Sequence, residues 1–223
     1  MKLSIIVPAL NEADCIGETL KAAEHGVAQE LIVVDGGSED GTQAIVQAHD
    51  AHVITSPPGR GEQLQRGVEA STGDTLLFLH ADSLLPTDYD RHIERVLSAV
   101  HVSGGAFRLS IRGGPPGTRI IERIVQFRSR VLQMPYGDQA LFARRSAIEQ
   151  VGGIPREPIM EDVMLVRRLK RIGRIGLADV PVQTSGRRWR KKGVILNTLQ
   201  NQLTFLAFQF GVSPDTLWSL YHE

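Results

Sequence analysis

The chain has 223 residues, 42% hydrophobic and 22% charged, values of an ordinary globular protein long enough to bury one α/β core. Lys plus Arg and Asp plus Glu stand at 25 each, so there is no basic excess and a general nucleic-acid binder is disfavoured. The single cysteine, Cys15, excludes an internal disulfide framework and a four-cysteine zinc site, and it suits a reducing cytosol.

The first half alternates strand and helix signals. Leu3–Val7 is a β-branched strand closed by Pro8. Glu12–His25 reads as a helix with Ile16, Leu20 and Ala23 on one side, ending at Gly26. Glu30–Asp35 is a second buried strand, turned by Gly36-Gly37-Ser38, and Asp40–His49 is helical. Ala51–Thr55, Gly61–Ala70 and Thr75–Leu79 continue as strand, helix and strand. Near-continuous apolar strands between amphipathic helices predict a mostly parallel sheet covered on both faces.

Beyond residue 100 the pattern changes. Gly104–Ile111 predicts a strand, Pro115-Pro116-Gly117 a break, and Thr118–Leu132 an Arg-rich helix. Gln139–Ala143 predicts another strand, Pro158–Arg171 holds a helix, and Arg190–Phe210 a long one. One continuous α/β domain is expected, its second half completing the sheet and building the other wall of a cleft.

The charge balance hides an asymmetry. Residues 1–100 carry 6 Lys/Arg against 16 Asp/Glu, and residues 101–223 carry 19 against 9. Val180–Pro214 holds no acid and five cations: Arg187, Arg188, Arg190, Lys191 and Lys192. The two halves are expected to face different chemical tasks.

Leu3–Val7 is too short for a signal-peptide core. Val194–Val212 is interrupted by Asn197, Gln200, Asn201, Gln202 and Gln209, so no transmembrane helix is expected and a cytoplasmic location is. Ile195, Leu199, Leu203, Leu206 and Phe210 share one helical face. That face either packs on the domain or a dimer partner, or it contacts a membrane surface, with the basic lead-in and Trp189 meeting anionic headgroups.

In an open parallel sheet, ligands bind beyond the carboxyl ends of the strands. Here those ends read Pro8-Ala9-Leu10-Asn11-Glu12, Asp35-Gly36-Gly37-Ser38 and His80-Ala81-Asp82-Ser83. Asp35 can accept a base N–H or ribose hydroxyls, and Asp82 can hold a divalent metal through hard oxygens. Each acid alone reads equally well as a turn or helix-cap residue; three coincident strand ends favour a ligand site. The chain has no P-loop, no dinucleotide glycine fingerprint, no H-E-x-x-H, no C-x-x-C and no G-x-S-x-G.

The segments Ser4–Glu12, Glu30–Thr42, Gly73–Asp82 and Met160–Leu169, in that order, resemble the successive signatures of glycosyltransferase family 2. The resemblance covers roughly residues 2–192 and is nearest to a short, soluble bacterial subgroup linked to radical-SAM and selenium-related loci and arsenosugar biosynthesis. It implies the GT-A fold, a Rossmann-like sheet with helices on both faces, and inverting transfer of a sugar from a nucleoside diphosphate sugar. It also implies a nucleotide-binding half at 1–100, an acceptor and catalytic half at 101–192, and a C-terminal helical segment at 193–223. Pro8, Ala9 and Glu12 match the first nucleotide-contact loop, Asp35 the acid that reads the base, and Arg60 a nucleotide contact. Asp82 matches the metal-binding end of the family's D-x-D, for Mg²⁺ or Mn²⁺. That motif is His80-Ala81-Asp82 here, and the His can bond the ribose, ligate the metal as neutral imidazole, or merely cap the strand. Within Glu161-Asp162, Asp162 matches the catalytic base; Gly152-Gly153 matches the glycine turn near the donor sugar. Asp138 is a candidate sugar-hydroxyl ligand.

The Arg187–Lys192 cluster is expected to serve the diphosphate or the acceptor. Its excess over what one diphosphate needs predicts an acceptor that is anionic or lies at an anionic surface, unless these cations pair across the molecule with the acidic half. Two rivals remain open. A sugar-phosphate nucleotidyltransferase normally shows a Gly-rich, basic loop after the first strand, which Pro8–Glu12 is not. A non-catalytic nucleotide-sugar-binding module would keep Asp35 and Asp82 without needing Asp162.

Overall fold

The computed structural model describes residues 1–26 and 28–222, without the side chains of Ala28, Gln29, Lys192, Tyr221 and His222. Strand β1 (Leu3–Ala9) lies between β2 (Ala28–Asp35) and β4 (Thr75–Phe78), parallel to both, and β3 (His52–Thr55) pairs parallel to β2 at the edge. Every residue of β1 is buried. Its alternation sends Ile5 and Val7 to one apolar cluster and Ile6 to the other, as a strand covered on both faces requires. Helices α1 (Ile16–Ala23) and α4 (Tyr89–Leu97) feed the first cluster, through Leu20 and Ile93. Helices α3 (Arg60–Ala70), α6 (Arg145–Gln150) and α7 (Glu161–Leu169) feed the second, through Leu64, Ile148 and Leu165.

The second half completes the same sheet. Strands β5 (Ser83–Leu84), β6 (Val102–Arg112), β7 (Phe142–Arg144) and β8 (Arg174–Ser185) give the order β3-β2-β1-β4-β7-β6-β8-β5. The four pairings β1/β2, β1/β4, β2/β3 and β6/β8 are parallel; β7 runs antiparallel to both neighbours, and β5 to β8. The remaining helices are α2 (Thr42–Gln47), α5 (Thr118–Val131), α8 (Arg187–Lys192), α9 (Val194–Gln209) and α10 (Pro214–His222).

The expected elements of the first half stand; α1 and α2 are shorter than expected where polar loops take over, and α3 begins one residue earlier, at Arg60. In the second half three things differ. Strand β8 gives no apolar run, because its solvent side carries Arg174, Asp179, Pro181 and Gln183; only its buried positions, such as Ile175 and Val182, are core-like. The strand expected at Gln139 begins later: Gly137–Gln139 is a 3₁₀ turn and Ala140 is left-handed (φ 48°), so pairing starts at Phe142. The long C-terminal helix is two, broken at Gly193 (φ 78°), where a residue with a Cβ would be strained.

Candidate active site

The carboxyl ends of β1 and β4 open on one cavity of about 350 Å³, lined by Pro8, Ala9, Glu12, His80, Ala81 and Asp82. Arg60, Asp138, Asp162 and Arg188 close on it from other parts of the chain. Local structure fixes each wall. The Asn11–Glu12 turn is pinned by Ser38 Oγ, which accepts the Asn11 N–H (2.9 Å), and by Thr42 Oγ1, which accepts that of Glu12 (2.9 Å). Thr19 Oγ1 donates to the Ala81 carbonyl at 2.7 Å. The end of β8 holds Asp82, whose carbonyl accepts the Ser185 N–H at 3.1 Å.

At the opposite wall, Met160 is left-handed (φ 67°) and swings Glu161 and Asp162 onto the first turn of α7. Gly61 lets the loop before them close in: a Cβ there would stand 2.2 Å from the Pro155 carbonyl oxygen and 2.5 Å from that of Glu157. Asp162 accepts the Gly137 N–H at 2.6 Å and the Val163 N–H at 2.7 Å. Gly137 sits so near that a Cβ on it would be 2.9 Å from His80 Nε2 and 3.2 Å from Asp162 Oδ2, so the imidazole and the carboxylate face each other across that backbone. Glu161 is 1% exposed; one of its oxygens pairs with Arg60 Nε at 3.0 Å, and the other is buried without a hydrogen bond. Burial raises its pKa to about 7 against the pull of Arg60, with Asp162 adding to the rise. Burial likewise raises Asp138 to about 6, with Arg128 opposing and Asp162 adding to the rise.

The departure from D-x-D has a defined state. Burial, followed by the positive charges of Arg60 and Arg188, pushes the His80 imidazole down to about 3. It is therefore a neutral donor and acceptor at physiological pH. An NMR titration of the ring nitrogens should show no protonation near the ordinary value of about 6.5; a midpoint there would mean that the ring is solvated.

Other candidates fall outside the cavity lining. Asp35 is fully buried, and its carboxylate takes the Gly37 N–H (3.2 Å), the Ser38 N–H (3.0 Å), Gln43 Nε2 (2.6 Å) and the Ser38 hydroxyl. These donors hold its pKa below the usual carboxylate range against the burial that raises it. Gly153 (φ 79°) lies against Gln65 on α3. Arg190 donates to the Gly113 carbonyl at 3.1 Å. Arg187 joins the two halves: it is ion-paired with Glu12 and stands 3.7 Å from Asp82. Pairs of the same kind, Arg112–Glu18 at 2.7 Å and Arg156–Glu62 at 2.7 Å, also cross from the basic half to the acidic one. Beside them, burial and Glu12 push the Cys15 thiol up to about 12, so it is no nucleophile.

The sequence reading missed two groups. Arg128 stacks on the Tyr136 ring, 3.4 Å from its centroid, at the cavity wall. Gln139, fully buried, accepts from Ser129 Oγ (2.8 Å) and donates to the Phe107 carbonyl (2.9 Å), locking the loop that carries Asp138. The polar Gly137-Asp138-Gln139 run was the available signal. The second group is Asn197, Asn201, Phe205 and Trp218, by which α9 and α10 close the cavity. No motif announces it.

For a divalent ion, the chain offers the Asp82 carboxylate with that of Glu12 near it, both facing Arg187. Among the described residues, no three His, Cys, Asp or Glu side chains converge as a ready-made cage. This donor set fits an ion that takes most of its shell from a diphosphate and water, the usual habit of Mg²⁺.

A parallel sheet ending in a polar cavity, with acids entering from a second half, is the architecture of a GT-A glycosyltransferase. The family model for glycosyl transferase family 2 matches residues 4–151. Glucosyl-3-phosphoglycerate synthase of Mycolicibacterium smegmatis is 28% identical over 244 aligned residues, covering 96% of this chain and 79% of that protein. The Mycobacterium tuberculosis synthase, solved with Mn²⁺, uridine diphosphate and glucosyl-3-phosphoglycerate, superposes with a TM-score of 0.65 at 23% identity, over 95% of this chain and 80% of that one. Residues 1–349 of S. aureus TarS superpose with a TM-score of 0.66 at 20% identity; 83% of this chain spans 60% of that one. The chain belongs to glycosyltransferase family 2 and is a glycosyltransferase, which removes the nucleotidyltransferase and the non-catalytic module.

Proposed function

We propose that this glycosyltransferase moves a sugar with inversion from a nucleoside diphosphate sugar to an acceptor hydroxyl, with Asp162 as general base. One observation carries the reading: Asp162 on one wall and Asp82 on the other face the same cavity. An acceptor hydroxyl is a weak nucleophile. Asp162 takes its proton as the oxygen bonds to the anomeric carbon. The bond from that carbon to the diphosphate oxygen breaks on the opposite side, and the diphosphate leaves with the electron pair. Pro8, Ala9, Glu12, Arg60, His80 and Ala81, which line the cavity, serve the nucleotide, and Asp138 the donor sugar; Asp35 and Gly153, outside that lining, serve the nucleotide and the donor sugar through the loops they hold. Asp82 is the residue that would hold Mg²⁺ or Mn²⁺, which when bound offsets the charge gathering on the leaving diphosphate.

The contact of Arg187 with Asp82 supports a place for it at the diphosphate, while Arg188 in the cavity lining suits either diphosphate or acceptor. An anionic acceptor remains our reading. The M. tuberculosis relative has been solved with phosphoglyceric acid, itself an anion, and Arg128 and Arg188 both line the cavity here. Cytoplasmic placement, the division at residues 100 and 192, and the short bacterial subgroup rest on the sequence alone.

A thermal-shift screen of UDP-, GDP- and dTDP-sugars with Mn²⁺ tests the donor. A true donor at about 100 times its dissociation constant should stabilise the fold by roughly 2.7 kcal/mol. If none of them shifts the melt, the donor assignment fails.

A further inference from the structure

We infer that the exposed faces of α5 and α9, the two helices flanking the cavity, dock on an anionic lipid bilayer. Helix α9 turns an apolar stripe outward. Its stripe of Ile195, Leu199, Leu203, Leu206 and Phe210 is 48–87% exposed, whereas Asn197 is 2% exposed and lines the cavity together with Asn201. A helix in a globular protein normally turns its apolar stripe to the core. The reading in which this stripe packs on the domain is therefore corrected: the inward face, with Asn197 and Phe205, lines a cavity.

Helix α5 repeats the feature. Ile120, Ile124, Phe127 and Val131 are 57–64% exposed at helical spacing. At 3.6 residues per turn, Arg119, Arg123 and Arg130 form a row directly beside them. Arg130 reaches Asp179 at 3.6 Å. The helix's one acid, Glu122, turns inward and accepts the Ile111 N–H at 2.6 Å. An apolar row bordered by arginines is the pattern of a helix lying in a membrane interface. Both helices border the cavity, Ile121 and Val125 from α5 and Asn197 and Phe205 from α9, so docking would hold one wall of the cavity against the lipid surface.

Charge selects the occupant. Val180–Pro214 contains no acid, and Arg190 and Lys191 are exposed just before α9. A second copy on this face would bring two arginine rows together, whereas anionic headgroups would neutralise one. Trp189, expected at the headgroups, is not part of the surface. It is 9% exposed and packs with Leu109, Ile111 and Val125. Among the described residues no helix is long and apolar enough to cross a membrane, so the contact proposed is peripheral.

The inference goes beyond the transfer reaction, and its test needs no donor. The full chain is floated with phosphatidylcholine vesicles, with and without phosphatidylglycerol, across salt concentration. Binding is expected only with phosphatidylglycerol and should weaken as salt rises. R119Q and R123Q should each weaken it about fivefold. L203Q and L206Q should each weaken it about tenfold or more. The melting temperature and nucleoside diphosphate binding of all four should stay at wild type, which separates lost docking from lost folding. No flotation, equal binding to neutral vesicles, or a dimer that L203Q disrupts while vesicles are ignored would each overturn the proposal.

Discussion

Asp162→Asn should lower turnover by about 10²–10⁴-fold, the usual cost of losing a general base, and leave nucleoside diphosphate affinity unchanged. The variant suits the question because the amide keeps an oxygen that can accept the Gly137 N–H and gives up only the bond from the Val163 N–H. A structural role would show instead as a lower melting temperature and weaker nucleotide binding. The neighbouring carboxyls are worse placed for the task. Glu161 is buried against Arg60, and Asp138, drawn up to about 6, is partly protonated as the pH falls toward that value. Wild-type turnover in Asp162→Asn, measured with the donor found by thermal shift, would refute the base assignment.

Asp82→Asn should weaken nucleoside diphosphate binding in Mn²⁺ by at least about 10–100-fold, the cost of losing a group that only orients a metal ligand, and change it little in EDTA. The reason is the exchange the site requires. Arg187 lies between Glu12 and Asp82; a divalent ion must share that place or displace the guanidinium. Arg187→Gln should therefore act in the opposite sense on the ion, raising Mn²⁺ affinity without nucleotide, while weakening the diphosphate. Calorimetry of Mn²⁺ alone and of nucleoside diphosphate with Mn²⁺ or EDTA separates these outcomes. Equal losses for Asp82→Asn in both conditions would mean that Asp82 acts on the nucleotide and not through an ion.

The sequence by itself determined the first half of this protein and its family. Strands β1, β2 and β4 are short apolar runs, their ends are marked by Pro8, Gly36 and the His80–Asp82 triplet, and both signals are local. Glu161 and Asp162 are legible for the same reason, as acids opening a periodic helix. Only the tertiary structure decided the rest. Periodicity shows that a helix has an apolar face, but not whether a core lies beneath it, so the leucines of α9 look outward while Asn197 is buried. Strand β8 is defined by pairing with β6, a partner far away in the chain, and not by its own composition. Composition counts charges but does not pair them: Arg187 meets Glu12 because β8 ends beside Asp82. The same holds for titration, since burial, more than any neighbouring charge, separates Glu161, raised to about 7, from the exposed glutamates it resembles in sequence.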